Sequence, residues 1–341
     1  MSAPEPLLVT PAALPPGFDD PGIPRIAVEP VERCAVCGSK EWMPFADGYD
    51  YELRTCRNRW HFVACGQCDH VRLHPRPRAD MLGIIYPPHY YAYNYDSQVS
   101  PLARRAKAWL DRRKFAGILR HLPRSPGSYL DVGCGNGRFL DLMAAHGLPS
   151  ARLYGLELDQ PTVDRLRSRG YQAWCQRVED CGDIPAGSID LATMFHVIEH
   201  VDRPDVVIRR LVEWLAPGGV LALETPNLES WDARLFRETF WGGYHIPRHW
   251  HLFTPLTLTR LLTAAGLDVV AVNYHPGHSF WMYSFHHRLR YGTPSLPRLA
   301  ARFNPFGGSV LALAAMTALD KLRAACGAPT SAMLLIARKP D

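Results

Sequence analysis

The run Tyr129-Leu130-Asp131-Val132-Gly133-Cys134-Gly135-Asn136-Gly137 constrains the fold more than any other stretch of the chain. It reads as a short buried strand that breaks into a glycine-rich turn and then opens a helix. Twenty residues past Gly137, Glu157 ends a second apolar run, Leu153-Tyr154-Gly155-Leu156. A strand, a glycine turn, a helix and an acid closing the next strand make a nucleoside-binding half-site. The glycines let backbone approach a ligand without a Cβ in the way. The acid can accept two hydrogen bonds from a ribose diol, each worth about 1.5–3 kcal/mol when the acceptor is charged.

A dinucleotide is the first nucleoside to weigh. Its fingerprint, G-x-G-x-x-G, needs a third glycine where this chain has Arg138, because the glycines here fall at Gly133, Gly135 and Gly137. The loop also opens on Asp131, which would repel a pyrophosphate at the helix N-terminus and suits a cationic amino-acid ligand. Asp131-x-Gly-x-Gly-x-Gly resembles motif I of the class I S-adenosylmethionine (SAM) methyltransferases. Two later runs are similar to the same family, in the right order and spacing. Ser188 to Val201 resembles its fourth strand and following turn. Leu215-Ala216-Pro217-Gly218-Gly219, running on to Asn227, resembles its Pro-Gly-Gly helix-to-strand turn and fifth strand. The resemblance implies an α/β fold with a Rossmann-like seven-stranded sheet, and SAM as cofactor.

Composition sets outer bounds. A chain of 341 residues with 47% hydrophobic content can bury a sizeable core, as one large domain with additions or as two domains. A net charge of +5 carries no strong nucleic-acid signal. A modest basic cluster, Arg104, Arg105, Lys107, Arg112, Arg113 and Lys114, reads as a solvated helix face. Met1 to Asp20 is proline-rich and acidic, unlike a secretory leader. The longest largely apolar stretch, Val310 to Leu319, is too short to span a bilayer. A cytoplasmic protein is therefore expected.

In that setting nine cysteines point to metal or free thiols rather than disulfides. Cys34-x-x-Cys37-Gly and Cys65-x-x-Cys68 are separated by 27 residues. Each C-x-x-C turn supplies two thiolates, and together they can close a tetrahedral zinc site of zinc-ribbon type. A segment this small needs such a staple. Four thiolates leave no open position, so the expected role of zinc is structural. Cys56 is the unmatched fifth cysteine, and burial is its expected fate.

The chain divides accordingly. Residues 1–30 hold eight prolines and read as a disordered arm. Residues 31–76 form the zinc ribbon, 77–125 a helical linker or lid, and 126–341 the SAM-binding domain. Strands are expected over 128–132, 152–158, 171–175, 189–195, 219–225 and 267–274. Ala332 to Arg338 would be the antiparallel seventh strand that the resemblance implies. Two insertions, 227–253 and 276–331, interrupt the alternation, as substrate-binding additions do. A zinc ribbon, Pro75-Arg76-Pro77, Tyr86-Pro87-x-x-Tyr90-Tyr91 and a SAM domain in that order resemble one branch of bacterial methyltransferases. Its members occur with sugar, surface-glycan and natural-product biosynthesis, and include nucleotide-sugar C-methyltransferases. The likeness runs from residue 31 to about residue 266 and stops before the C-terminus.

Site roles follow from the resemblance and position. Asp131, Gly133, Gly135 and Gly137 would meet the amino-acid end of SAM. Glu157 and Leu158 would meet the ribose, Val178 and Glu179 the adenine, and Phe195 and His196 the methionine. Histidine suits general-base work. His249, in Pro247-Arg248-His249, is the first choice of base, His200 the second, and Tyr91 with Tyr90 would close the pocket. His245, His249 and His251 as a metal triad is a weaker reading. The acceptor is expected to be a small molecule or a glycan- or lipid-linked compound, methylated at oxygen, with carbon and nitrogen open. The aromatic and basic segment 278–325 reads first as a helical lid and second as a peripheral contact with the inner membrane face. A nucleic-acid methyltransferase and a non-catalytic SAM-fold scaffold are the alternatives.

Overall fold

The computed structural model describes residues 14–87, 101–305 and 307–341. The N-terminal module holds β1 (Val28–Glu29), β2 (Trp42–Gly48), β3 (Trp60–Cys65), β4 (Val71–Leu73) and β5 (Arg76–Pro77). Strands β2, β3 and β4 pair antiparallel. The cysteine turns lie at one end of this sheet. Two helices follow, α1 (Leu82–Ile85) and α2 (Pro101–Leu119).

The central sheet then begins with β6 (Tyr129–Val132), α3 (Arg138–Ala145), β7 (Leu153–Glu157), α4 (Gln160–Ser168) and β8 (Gln172–Cys175). It continues through β9 (Ile189–Phe195), α5 (Pro204–Trp214) and β10 (Leu215–Pro226). The segment after β10 carries α6 (Trp231–Leu235) and β11 (His251–Leu252). The rest comprises α7 (Pro255–Ala264), β12 (Asp268–His275), α8 (His278–Tyr291), α9 (Pro297–Ala300), α10 (Val310–Ala325) and β13 (Ala332–Arg338).

Seven strands form one sheet in the order β12-β13-β10-β9-β6-β7-β8. Strands β10, β9, β6, β7 and β8 run parallel, and β13 is antiparallel to both of its neighbours. Alternate strand residues face opposite cores, as pleating requires. Leu130, Ala192, Leu221 and Leu335 pack against α5 and α7 through Val207, Leu211, Leu258 and Leu262. Tyr129, Leu191, Val220 and Leu334 pack against α2, α3 and α4 through Phe115, Ile118, Leu140 and Leu166. Both faces are covered, which is why the strands read as near-continuous apolar runs.

The six parallel-region strands and the seventh fall close to their expected positions. The fifth starts earlier than its pattern, at Leu215 instead of residue 219. Leu215 pairs with Ile189, the register shifts before Val220, and Gly218 takes a positive φ of 70°. The Pro-Gly-Gly turn is thus an irregularity inside a strand.

The larger departure concerns the insertion after β10. Strand β11 pairs with β4, so the four-stranded N-terminal sheet runs β11-β4-β3-β2. A third core joins Trp60, Phe62, Val71 and Leu73 to Trp241, Tyr244, Ile246, Trp250 and Leu252. The ribbon and the insertion are therefore one packed body.

Candidate active site

Four pieces meet at the C-terminal ends of the parallel strands, where the order reverses between β6 and β9. Open α/β sheets bind ligands at that crevice. The first piece is the glycine loop. Gly133 and Gly135 have φ of 72° and 48°, and a Cβ on Gly133 would stand 2.5 Å from Val197 Cγ2. The Gly135 N–H donates to Glu157 Oε2 at 2.9 Å, and Leu158 N–H donates to Oε1 at 2.7 Å. Glu157 thereby ties the end of β7 to the loop. Leu158 is exposed at 65%.

Asp131 lies beneath the loop, almost wholly buried. Its Oδ1 accepts from Thr193 Oγ1 at 2.8 Å, while Oδ2 is a buried oxygen with no hydrogen-bond partner. Burial raises its carboxyl to about 7 against the pull of Thr193 and Arg138. Beyond β8, Val178 points into the core, and Glu179 is half-buried.

Helix α2 brings the second piece. Phe115 packs on Tyr129, Phe139 and Phe195. Lys114 pairs with the buried Glu224 of β10 and lies 4.7 Å from the Phe195 ring centre. Asp111 is 3.4 Å from Arg138. The basic cluster read as a solvated face thus sends one member into the site. Burial would raise the Glu224 carboxyl, but Lys114 and His196 hold it well below the usual carboxylate range.

The third piece is the turn after β9. His196 adopts a left-handed φ of 55°, a strained position for a residue with a Cβ. Its amide is held by Glu224 O at 2.7 Å. Its ring stands between two carboxylates, with Nδ1 3.4 Å from Glu199 Oε1 and Nε2 3.7 Å from Glu224 Oε1, and is 44% exposed. Desolvation opposes its charge, yet the two acids raise its proton affinity to about 9. Glu199 is fully buried; its Oε2 accepts from Thr225 Oγ1 at 3.0 Å.

The fourth piece is the insertion. Trp250 and His251 donate their amides to Glu199 O at 2.7 and 3.1 Å. That clamp sets His249 beside the turn, with Nε2 3.9 Å from Glu199 Oε1 and its ring centre 4.6 Å from that of His200. His249 Nδ1 donates to Gly243 O at 2.7 Å, and His200 Nδ1 donates to Arg248 O at 3.0 Å with Tyr86 Oη also at 3.0 Å. Burial keeps both rings neutral: His249 falls well below its ordinary value and His200 falls to about 4. His245, at φ 40°, pairs through Nδ1 with Glu52.

Both candidate bases thus meet at one acid, whereas Tyr90 and Tyr91 lie outside the described residues. His251 turns away to His70, 2.9 Å from its Nε2, so His245, His249 and His251 do not form a triad. His275 and Glu52 carried no sequence signal, and Lys114 and Glu224 show in the sequence only as part of a basic face and of the fifth strand. His275 Nδ1 stands 3.4 Å from Glu224 Oε1.

The cysteines converge separately. Sγ of Cys34 lies 3.6 Å from that of Cys68, and Cys37 3.5 Å from Cys65. One sulfur from each lies within 4.8 Å of the others. A tetrahedral ion with sulfurs at about 2.3 Å sets them roughly 3.8 Å apart, so the four fit zinc. Cys56 is buried in the aromatic core instead.

A family model described as a methyltransferase domain matches residues 102–272, half of the chain. A ubiquinone biosynthesis O-methyltransferase from Coxiella burnetii is 28% identical over 163 residues, which cover 43% of this chain and 67% of that protein. Its namesake from Neisseria meningitidis is 24% identical over 212 residues, 54% of this chain and 88% of that one. Among solved structures, a SAM-dependent methyltransferase from Archaeoglobus fulgidus is similar at TM-score 0.46 and 16% identity, over 74% of this chain and 100% of that one.

Proposed function

The chain belongs to the methyltransferase-domain family and is a SAM-dependent methyltransferase, and we propose that it methylates a hydroxyl oxygen of a small-molecule or glycan-type acceptor. The carrying observation is the buried Glu199 carboxylate with His196, His200 and His249 gathered round it. Methyl transfer from a sulfonium is an in-line displacement, and a hydroxyl acceptor must also lose a proton. An acid–histidine cluster beside the methionine end of the cofactor suits that second demand. The printed names of the Coxiella and Neisseria relatives, both O-methyltransferases, support oxygen as the acceptor atom.

In this reading Glu157 and Leu158 bind the ribose of SAM. Asp131, Gly133, Gly135 and Gly137 bind its amino-acid end. Val178 and Glu179 frame adenine, with the buried Val178 shaping the pocket floor from behind. Phe195 and His196 flank the sulfonium. SAM itself supplies the electrophilic methyl group. Zinc on Cys34, Cys37, Cys65 and Cys68 would cross-link the ribbon and take no part in chemistry.

A membrane-surface contact through 278–325 is a second reading. It draws on α10, where Val310, Leu311 and Leu322 are exposed at 78%, 82% and 67%. Among the described residues no helix is long and apolar enough to cross a membrane.

Substitution of the cluster tests the main reading. His249→Ala and Glu199→Gln should lower turnover about 10²–10⁴-fold, the usual contribution of proton transfer, with SAM affinity kept. Affinity is read by isothermal titration and turnover with labelled SAM and a panel of hydroxylated acceptors. Full turnover in both variants with unchanged SAM binding would show that the cluster does not activate the acceptor.

A further inference from the structure

The Glu199 cluster has a gap in it. His249 Nδ1 faces the Gly243 carbonyl, and His200 Nδ1 faces the Arg248 carbonyl. A carbonyl can only accept, so each ring carries its proton on Nδ1 and keeps a lone pair on Nε2. For His249 that lone pair points toward Glu199 Oε1 across 3.9 Å. The distance is too long for a direct hydrogen bond. Oε1 is buried, on a carboxylate with no solvent exposure, and makes no close hydrogen bond; besides His249, the His196 ring approaches it, with Nδ1 at 3.4 Å. The His249 lone pair and Glu199 Oε1 thus face each other with no proton of His249 between them, and the ring of His196 lies at the edge of the gap.

We propose that Glu199, His200 and His249 bind a divalent first-row transition-metal ion. One ligand atom from each lies within 4.8 Å of the others. An ion about 2.0–2.2 Å from each ligand spaces neighbouring ligands roughly 3–4 Å apart, so a small closure completes the shell. Imidazole with carboxylate suits iron, cobalt, zinc or nickel, and three protein ligands leave positions for an incoming oxygen. The outer partners are those of a metal site. Both histidines are oriented through Nδ1 by backbone carbonyls, and Glu199 is steadied through Oε2 by Thr225. Glu199 and His200 come from the turn after β9, and His249 from the insertion packed on the cysteine module. This ion is distinct from the one the thiolates would hold.

A metal here would lower the proton affinity of an acceptor hydroxyl bound to it. That role rests on the hydroxyl-acceptor reading, whereas binding of the ion does not.

Metal content, read without turnover, separates the two. The full chain is loaded with Co²⁺, freed of loose ion by gel filtration, and assayed by elemental analysis. Wild type should carry two ions per chain. Glu199→Gln and His249→Phe should carry one, with the thiolate-to-cobalt charge-transfer absorption unchanged and the melting transition intact. If one variant fails to fold, the other serves. A single, thiolate-bound ion in wild type, or two ions in a folded variant, would overturn the proposal. Two ions lost to one in a variant with full turnover would keep the metal site and remove the acceptor-activation reading.

Discussion

Arg248 has no exposure to solvent, and its guanidinium grips Asp50 with NH1 on Oδ1 and NH2 on Oδ2, each at 3.1 Å. Asp50 also accepts from the amides of Leu53 and Thr55. The pair bolts the insertion to the N-terminal module one residue before His249. Burial alone would raise the Asp50 carboxyl, but Arg248 outweighs it and holds the group below its ordinary 3.8. A depressed carboxyl stabilises the fold above its unfolded value, and that stability is lost as pH falls through the folded value. Arg248→Ala leaves a buried carboxylate alone and should cost about 3–5 kcal/mol near neutral pH by urea unfolding. The gap between wild type and variant should narrow as pH falls below about 4. A gap that stays constant with pH would remove the ion pair as its cause. In the sequence Arg248 was visible only as part of a Pro-Arg-His run. Nothing local announces Asp50 as its partner, because the two are brought together by packing across 198 positions.

At the scale of elements, β4 and β11 join the candidate site to the cysteine module. His251 pairs with Arg72 and Leu252 with Val71, and Leu73 N–H donates to Trp250 O at 2.9 Å. The same short segment clamps Glu199 through the Trp250 and His251 amides. Order in the thiolate site should therefore reach His249. Chelation of the zinc proposed for the four cysteines should raise amide exchange at 71–73 and 250–252 while β6 and β9 stay protected, as read by hydrogen–deuterium exchange. Unchanged protection at 250–252 would show that the insertion stands without the ribbon. The two C-x-x-C pairs were legible because each is a local turn with a fixed ligand spacing. The union of β4 with β11 was not, because a two-residue strand has no periodicity to read. Helix α2 shows the same limit: Lys114 looks like its basic neighbours until Phe115 and Ile118 enter the core and turn it toward Glu224.

At the scale of the whole molecule, α8, α9 and α10 form a layer beside the site. It is held by Asp320, which accepts from Trp281 Nε1, the Gly277 amide and Ser331 Oγ. This buried anchor fits a lid, while the apolar outer residues of α10 leave room for a membrane-surface role. If that role holds, Val310→Asp with Leu311→Asp should reduce co-sedimentation with anionic vesicles several-fold without changing the melting temperature. Equal sedimentation of the two proteins would remove it. Sequence alone determined the seven-stranded α/β fold, the cofactor class and the four thiolates. Each is written in contiguous residues, where glycine geometry, apolar alternation or ligand spacing acts over a few positions. Only tertiary structure decided which side chains gather at the candidate site. Glu52, Lys114, Glu199, Glu224 and His249 come from five separate segments: the core shared by ribbon and insertion positions Glu52 and His249, while the α2–sheet core turns Lys114 toward Glu224 on β10.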